Sequence, residues 1–360
     1  MTAVETLRAR FLAGETRALA RGLSWVEAGD PRGAALRAAL RRRPATARLI
    51  GLTGAPGVGK STLADRLIGT WRDRGQRVAV LAFDPSSPYS GGALLGDRVR
   101  MTRWAGDEGV FVRSMATRGR TGGLAPAAHE ALALLVAFGF DVVLLETVGV
   151  GQAEVDVAAV ADTTVVALAP GLGDDVQAAK AGLMEVADVY VVTKADRPHA
   201  GRLAREVRDA VALLDAIGAP RRGAGAPRWR PPVVLVAAGA AAADLPAGFA
   251  ADGGLGELLA ALDGHAAHLA ATGAATGREA ERVRAEVVAR AQASLRAEVA
   301  DLAADDWGAV AGGERSAEGL AAELLARAAR RAAAAPQPPA GGGGVRGRAA
   351  RGDAPDPAGC

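Results

Sequence analysis

The chain has 360 residues, half of them hydrophobic and 23% charged, so it is long enough to bury a sizeable core and too apolar to be disordered throughout. Its 43 basic and 40 acidic residues leave a net charge of only +3, without the dense basic block that would predict a nucleic-acid partner. The single cysteine, Cys360, excludes a disulfide framework and a thiolate metal site.

The sequence shows no sign of membrane insertion or secretion. The longest apolar runs, at 131–140 and 233–243, are shorter than the roughly 18 residues that span a bilayer. The first twenty residues carry charges throughout and lack the apolar core of a signal peptide. We therefore expect a cytoplasmic protein without a membrane partner.

Residues 1–45 are predicted to form a helical extension, because Leu7, Phe11, Leu19 and Leu23 recur near helical spacing among arginines. Residues 46–262 are predicted to form an α/β domain with a mostly parallel central sheet. Short apolar runs alternate there with helical stretches, which is typical of strands that helices cover on both faces. The predicted strands are 49–53, 78–83, 110–113, 142–146, 163–169, 189–193 and 233–236.

Residues 263–335 are predicted to form a helical arm. Apolar residues recur along it every three or four positions, and this stripe either packs on its own domain or docks a second subunit. Residues 336–360 are low in complexity, so we expect disorder there and assign them no chemistry. The stripe consists of Val283, Val287, Ala291, Leu295, Val299 and Leu302.

The strongest motif is a phosphate-binding loop. The segment GAPGVGKS fits the pattern G-x-x-x-x-G-K-[ST] and lies between a predicted strand and a predicted helix, as in P-loop NTPases. Glycines let the backbone surround a phosphate with N–H donors, and the helix adds the positive end of its dipole. Lys60 is predicted to bridge the β- and γ-phosphates, and the Ser61 hydroxyl to bind Mg²⁺. The predicted nucleotide-binding residues here are Gly54, Ala55, Pro56, Gly57, Val58, Gly59, Lys60, Ser61 and Thr62.

A second motif predicts which base is bound. Thr193, Lys194 and Asp196 belong to TKAD at the end of a predicted strand, where GTPases usually carry N-K-x-D. A carboxylate there accepts hydrogen bonds from N1–H and the exocyclic amine of guanine, whereas adenine offers no such pair of donors. Threonine in place of asparagine is less surprising in a chain without asparagine. The motif therefore predicts GTP and GDP as ligands.

Three acidic residues between these motifs are candidate metal-binding and catalytic groups. Asp84, Asp97 and Glu146 each lie at a predicted strand end or in a glycine-rich loop, and ligands bind at the carboxyl ends of parallel strands. Glu146 and Gly149 occupy the place of the usual D-x-x-G, in which the carboxylate orients metal-bound water and the glycine N–H senses the γ-phosphate. Alternatively, Asp84 forms an Asp-Pro turn and Asp97 caps a helix.

Together these motifs resemble the MeaB/ArgK family of P-loop GTPases. The resemblance runs nearly continuously from about Gly14 to His268. It implies a G domain flanked by the helical extension and by a C-terminal dimerisation arm, and hence a homodimer. It also implies that GTP binding and hydrolysis gate cofactor delivery to an adenosylcobalamin-dependent acyl-CoA mutase. The motifs that carry it are GAPGVGKSTL, DPSSPYSGGALLGDRVRM, RSMATRG, GFDVVLLETVGVGQAEVD, PGLGDDVQAAKAGLMEVAD and TKADRP.

The resemblance also implies roles for single residues. It assigns Asp84, Asp97 and Glu146 to the magnesium and catalytic environment, and Lys180 to a mobile switch through which the mutase activates hydrolysis. The only lysines are Lys60, Lys180 and Lys194, and we expect all three to line the nucleotide site.

The chain departs from the family pattern in two places that affect base binding, and it differs from Ras-type enzymes in one feature of catalysis. TKAD replaces NKAD, and VLVAAGAAAADLP replaces a Ser-Ala loop, which leaves the contact to guanine O6 unplaced. Val150 stands directly after Gly149, where Ras-type enzymes carry a water-orienting glutamine, so we expect slow intrinsic hydrolysis.

Two other functions are compatible with these motifs. A nickel-insertion GTPase for hydrogenase or urease needs metal ligands, and only His265 and His268 lie at ligand spacing, one helical turn apart. A non-catalytic, nucleotide-locked scaffold would hold a partner enzyme through the C-terminal arm. The presence of Ser61, Asp84 and Glu146 argues against the scaffold.

Overall fold

The computed structural model describes residues 2–40, 47–84, 102–116, 126–147, 153–171, 183–218, 228–246 and 248–334. Within these residues lies a seven-stranded sheet in which all neighbouring strands are parallel, in the order β3-β2-β4-β1-β5-β6-β7. The predicted α/β fold with a parallel sheet is confirmed, and each predicted strand is present. The strands are β1 (Arg48–Thr53), β2 (Val78–Asp84), β3 (Val110–Ala116), β4 (Val142–Thr147), β5 (Thr163–Leu168), β6 (Val189–Thr193) and β7 (Val233–Val236).

Helices cover both faces of this sheet. None of the described helices is both long enough and apolar enough to cross a membrane. In chain order they are α1 (Ala3–Leu12), α2 (Thr16–Ala28), α3 (Pro31–Ala39), α4 (Lys60–Asp73), α5 (Pro126–Phe138), α6 (Ala153–Val160), α7 (Leu183–Val186), α8 (Ala200–Ala216), α9 (Leu255–Thr272), α10 (Ala274–Ala300), α11 (Ala304–Ala311) and α12 (Ala317–Ala334).

Strand β1 is buried on both faces of the sheet. This packing holds the end of the strand, where the chain leaves the sheet, in a fixed position. Ile50 and Leu52 belong to a core cluster with residues of α4 and α9, and Leu49 belongs to the cluster on the opposite face. Gly51 shares that opposite face, where an added Cβ would lie 2.6 Å from Val157 of α6. A side chain at Gly51 would therefore displace α6 from the sheet.

The segment predicted as a helical extension contains α1, α2 and α3, which pack on α5. The ring of Phe11 in α1 meets that of Phe138 in α5 edge-on, with 5.1 Å between the centroids. Leu19 and Leu23 of α2 are buried in the same core cluster. The extension therefore shares its core with the sheet domain.

The predicted domain boundary at residue 262 falls inside helix α9, which continues unbroken to Thr272. Leu258 and Leu262 of this helix pack in the core beneath the sheet, and Leu269 continues the same buried face. The helix therefore buries one continuous apolar face on both sides of residue 262.

The apolar stripe on the arm remains largely uncovered by the described part of the chain. Helix α12 packs along α10 and buries Leu320 and Leu324. On α10, however, Val283, Val287 and Val299 are 39%, 61% and 37% exposed. The two predicted alternatives for this stripe were packing on its own domain and docking a second subunit, and within the described residues no element of the chain covers these three valines fully.

A buried ion pair joins α10 to the sheet at the edge opposite the phosphate-binding loop. Arg278 Nη2 donates to Asp188 Oδ1 at 2.6 Å, and both side chains are almost fully buried. Asp188 Oδ2 in turn accepts from the backbone N–H of Thr164 in β5 at 2.8 Å. One carboxylate therefore fixes both α10 and the adjoining strand.

Asp188→Ala is expected to lower the free energy of unfolding by about 3 kcal/mol, because it leaves the buried Arg278 charge without its nearest carboxylate. Glu206→Ala is the control, since it removes the exposed Arg202–Glu206 pair on α8 and should cost at most about 0.5 kcal/mol. Urea unfolding of both variants measures the difference. Equal losses of unfolding free energy in the two variants would contradict the stabilising role assigned to the buried Arg278–Asp188 pair.

Candidate functional site

The phosphate-binding loop, residues 54–61, follows β1 directly, and its backbone requires glycine. Gly54 has φ of +138°, and a Cβ there would lie 2.2 Å from the carbonyl oxygen of Ala167. Gly57 and Gly59 have φ of +74° and +100°, in the left-handed region that glycine adopts without strain. This path turns the chain from the sheet edge into α4, whose first N–H groups lack partners within the helix.

Lys60 begins α4, and its side chain folds back over the loop. Its Nζ donates to the carbonyl oxygens of Gly54 at 2.6 Å and Ala55 at 2.9 Å. The residue is only 6% exposed. A buried ammonium beside the positive end of a helix favours an anionic ligand such as a phosphate chain.

Ser61 and Glu146 meet at the carboxyl edge of the sheet. The Ser61 hydroxyl donates to Glu146 Oε1 at 2.7 Å, and Glu146 is 4% exposed. The next residue, Thr147, donates its hydroxyl to Oγ1 of Thr53 at 3.2 Å, which joins the ends of β4 and β1. The pairing of these strands brings the carboxylate to the loop from 85 residues away in sequence.

The TKAD segment is tied to the phosphate-binding loop by two side chains. The Thr193 hydroxyl lies 2.5 Å from the carbonyl oxygen of Val58 and 3.0 Å from that of Leu168. Lys194, whose φ is +53°, donates from Nζ to the carbonyl oxygen of Gly57 at 2.6 Å. Threonine therefore links the two motifs although it replaces the usual asparagine.

Asp196, the last residue of the TKAD segment, is exposed. The loop that follows β7 lies beside this segment. The backbone N–H of Ala195 donates to the carbonyl oxygen of Val236 at 3.2 Å, so the two loops are neighbours. In the loop after β7, the backbone N–H groups of Ala238 and Gly239 have no hydrogen-bond partner within the described part of the chain. They are available to a ligand acceptor.

Arg66 of α4 contacts the same loop, although no sequence motif points to it. Its Nε donates to the carbonyl oxygen of Ala238 at 2.9 Å. Gly239 lies near the first turn of α4, where an added Cβ would be 3.9 Å from the methyl carbon of Thr62. Sequence reasoning misses Arg66 because its partner is 172 residues away and approaches only in the folded chain.

Four predicted site residues are incompletely described. Asp97, Gly149 and Lys180 lie outside the described residues, as do Val150 and the tail from 336 onward. Asp84 ends β2, which pairs with β4 next to Glu146, and only its backbone is described.

The two histidines at metal-ligand spacing have other partners. His265 is buried, with Nδ1 at 2.9 Å from the Thr163 hydroxyl and Nε2 at 3.4 Å from Asp188 Oδ1. His268 lies beside Trp229, with 5.3 Å between the ring centroids. Among the described side chains, no group of three or more His, Cys, Asp or Glu residues is arranged to hold a metal ion.

The site residues that the structure describes offer three kinds of chemistry at one sheet edge. Lys60 and the amino end of α4 suit a polyphosphate. The Ser61 hydroxyl and the Glu146 carboxylate provide oxygen atoms of the kind that bind Mg²⁺. Asp196 and the loop after β7 offer acceptors and donors suited to the edge of a base.

Comparison with known proteins gives a family and a fold. The family model described as "Methylmalonyl Co-A mutase-associated GTPase MeaB" matches residues 19–304. A putative GTPase of Pyrococcus abyssi is 48% identical over 231 residues, covering 64% of this chain and 69% of the relative. The GTPase ArgK of Escherichia coli is 42% identical over 199 residues, covering 54% of this chain and 60% of the relative. The crystal structure of a LAO/AO transport system kinase matches with a TM-score of 0.59 and 25% identity, covering 92% of this chain and 99% of that one.

Proposed function

Because the chain belongs to the MeaB family of methylmalonyl-CoA mutase-associated GTPases, we propose that its GTP hydrolysis gates the loading and protection of an adenosylcobalamin-dependent acyl-CoA mutase. The resemblance seen in the sequence is thereby confirmed at the level of the family, and the chain is a GTPase that converts GTP and water to GDP and phosphate. The proposed partner is methylmalonyl-CoA mutase or a relative with the same cofactor.

The convergence of Lys60, Ser61 and Glu146 at one end of the phosphate-binding loop is the observation that supports the hydrolysis step, and the family match supports the mutase as partner. In the proposed complex, Lys60 exchanges its two carbonyl acceptors for oxygens of the β- and γ-phosphates. Glu146 orients metal-bound water, and its burial keeps this carboxylate in a fixed position. The negative charge that develops on the transferred phosphoryl group then lies beside the ammonium and the helix terminus.

Guanine is the proposed base. Asp196 would accept from N1–H and the exocyclic amine, and the aliphatic stem of Lys194 would lie along the ring. The contact to O6, which the sequence left unplaced, is proposed for the backbone N–H groups of Ala238 and Gly239. The hydrogen bond between Ala195 and Val236 supports this assignment because it holds the two loops together.

Magnesium is the proposed metal, held by oxygens of Ser61, Asp84, Asp97 and Glu146. The hydroxyl and carboxylate of Ser61 and Glu146 fit this role, since both are hard oxygen donors and lie 2.7 Å apart. When bound, Mg²⁺ supplies charge neutralisation for the phosphates. The chain's own contribution is the placement of these oxygens at the carboxyl edge of the sheet.

The proposed hydrolysis is slow until the mutase binds. Val150 replaces the glutamine that orients water in Ras-type enzymes, and we propose that Lys180 supplies the missing stabilisation when the partner reorders the loop at 171–182. Both residues lie outside the described residues. The proposal for them rests on the sequence and the family.

Lys180→Ala is expected to reduce mutase-stimulated GTP hydrolysis by about 100-fold, because it removes a positive charge from the developing phosphoryl anion. Lys180→Arg, which keeps the charge, should retain part of the stimulation. Single-turnover hydrolysis with and without mutase gives the ratio of the two rates for each protein. An unchanged ratio in Lys180→Ala would remove this residue from the mechanism.

We propose the predicted domains with one change, which moves the end of the G domain from residue 262 to the end of α9. The G domain includes α9, and the arm that follows comprises α10, α11 and α12. We propose that two copies of the chain pair through the exposed stripe of α10, for which the exposure of Val283, Val287 and Val299 is the support.

The mutase partnership is tested by measuring GTP hydrolysis with a purified adenosylcobalamin-dependent mutase from the same organism. We expect the rate to rise at least about tenfold and the two proteins to co-purify. If mutase has no effect and Ni²⁺ raises the rate instead, the nickel-insertion alternative replaces this proposal. If hydrolysis stays negligible in both cases, the nucleotide-locked scaffold does.

A further inference from the structure

A side chain of α4 links this helix directly to the loop after β7. Arg66 lies in α4, the helix that begins at the phosphate-binding loop. Its Nε donates to the carbonyl oxygen of Ala238 at 2.9 Å. This is the one described hydrogen bond from an α4 side chain to the loop that holds the free N–H groups of Ala238 and Gly239.

We infer that Arg66 is a positioning residue for recognition of the base, an inference that rests on the proposed guanine site. Holding the carbonyl oxygen of Ala238 fixes the peptide plane that joins Ala238 to Gly239. The N–H of Gly239 belongs to the same peptide plane and points to the opposite side. Arg66 therefore sets the direction of the donor that meets O6 of guanine.

The surroundings of this peptide leave it dependent on Arg66. The loop is anchored at its start, where the N–H of Ala237 donates to the Gly253 carbonyl at 2.9 Å, and a turn anchors Ala240 to this start, because its N–H donates to the Ala237 carbonyl at 3.1 Å. Between these anchors, the Ala238 carbonyl is held by the arginine alone among the described residues. Loss of Arg66 thus frees this peptide without releasing the loop.

The arrangement also couples the two ends of the nucleotide. The same helix carries Lys60 and Ser61 in its first turn and Arg66 in its second, so the phosphate site and the base loop are held by one rigid element. A nucleotide that binds both the phosphate site and the base loop must match the distance that this helix sets between them. Arg66 therefore contributes to specificity without contacting the ligand.

Two substitutions separate the hydrogen bond from the bulk of the side chain. Arg66→Gln keeps a nitrogen donor near the position of Nε, and Arg66→Met keeps the length of the stem without a donor. Calorimetric titration with GDP and with 6-thio-GDP then reports on O6, because sulfur is a weaker acceptor and the other guanine donors are unchanged. Arg208→Met is the matched control, since Arg208 of α8 donates to the carbonyl of Val233 at the opposite end of β7.

We expect Arg66→Met to weaken GDP binding about 5- to 10-fold and 6-thio-GDP binding less than about twofold. Arg66→Gln should recover GDP affinity to within about threefold of wild type, and Arg208→Met should leave both affinities unchanged. An equal loss for both nucleotides in Arg66→Met would overturn the inference and leave the guanine site intact. If wild-type protein binds ADP as tightly as GDP, the proposed guanine site itself fails.

Discussion

Lys60→Ala is expected to reduce GTP hydrolysis by about 10³- to 10⁵-fold, the range observed when a cation is removed from a transferring phosphoryl group. The physical reason is the position of Nζ, which lies buried over the phosphate-binding loop and contacts the carbonyl oxygens of Gly54 and Ala55. No other described lysine shares this position, since Lys194 is bonded to Gly57 on the TKAD side of the loop. Single-turnover hydrolysis at saturating GTP measures the loss.

Lys60→Arg is the matched control for charge. A planar guanidinium is larger than an ammonium and cannot direct a compact charge into the same buried space, so this variant should also lose most of its activity. Circular dichroism of both variants checks that the fold is retained. A rate for Lys60→Ala within about tenfold of wild type would show that the ammonium does not act on the phosphates.

Asp196→Asn is expected to change the preferred base from guanine to xanthine. The asparagine side chain can accept a hydrogen bond from N1–H and donate one to the C2 oxygen of xanthine. In guanine, its amide donor would instead face the exocyclic amine, which is also a donor. A site built to hydrogen-bond a substrate group rejects an analogue with the wrong group by about 10⁴-fold, so the ratio of GDP to XDP affinity should fall by roughly that factor. Competition binding with both diphosphates measures the ratio.

Asp209→Asn provides the control for this change. Asp209 is exposed on α8, the helix that follows the TKAD segment, and the same loss of charge there should leave the ratio unaltered. If Asp196→Asn also leaves the ratio unaltered, Asp196 does not contact the base.

The sheet was predictable because its strands carry continuous apolar runs. Residues 189–193 and 233–236 were predicted to the residue, since both are runs of mainly β-branched residues that are largely buried in the sheet. The predicted limits of β3 were less accurate: its pattern suggested an end at Arg113, but the strand continues past the polar residues Arg113 and Ser114 to Ala116 and pairs with β2 throughout. Backbone pairing, which leaves no hydrophobic signal, determined that end.

The helical arm was harder to divide because helical periodicity carries no information about which helix packs on which domain. Leu262 and Leu269 belong to one continuous buried face, and the sequence pattern is the same on either side of residue 262. The packing of α9 beneath the sheet is the observation that supports our proposal to include this helix in the G domain.

Some features of the candidate site were predictable from a local motif, and others depend on contacts between segments that are far apart in the sequence. The loop with Lys60 and Ser61 is a local motif, and its backbone conformation follows from its glycines. The bonds of Thr193 to Val58 and of Arg66 to Ala238 join segments far apart in sequence, so only the sheet order reveals them.

The central claim is that the phosphate-binding loop and the TKAD segment form one site for a guanine nucleotide. Isothermal titration calorimetry of the purified chain with GDP and with ADP, in the presence of Mg²⁺, tests it most directly. We predict one GDP bound per chain and an affinity for ADP at least about 100-fold weaker, since adenine leaves Asp196 without donors. Equal affinities for the two nucleotides would contradict the account.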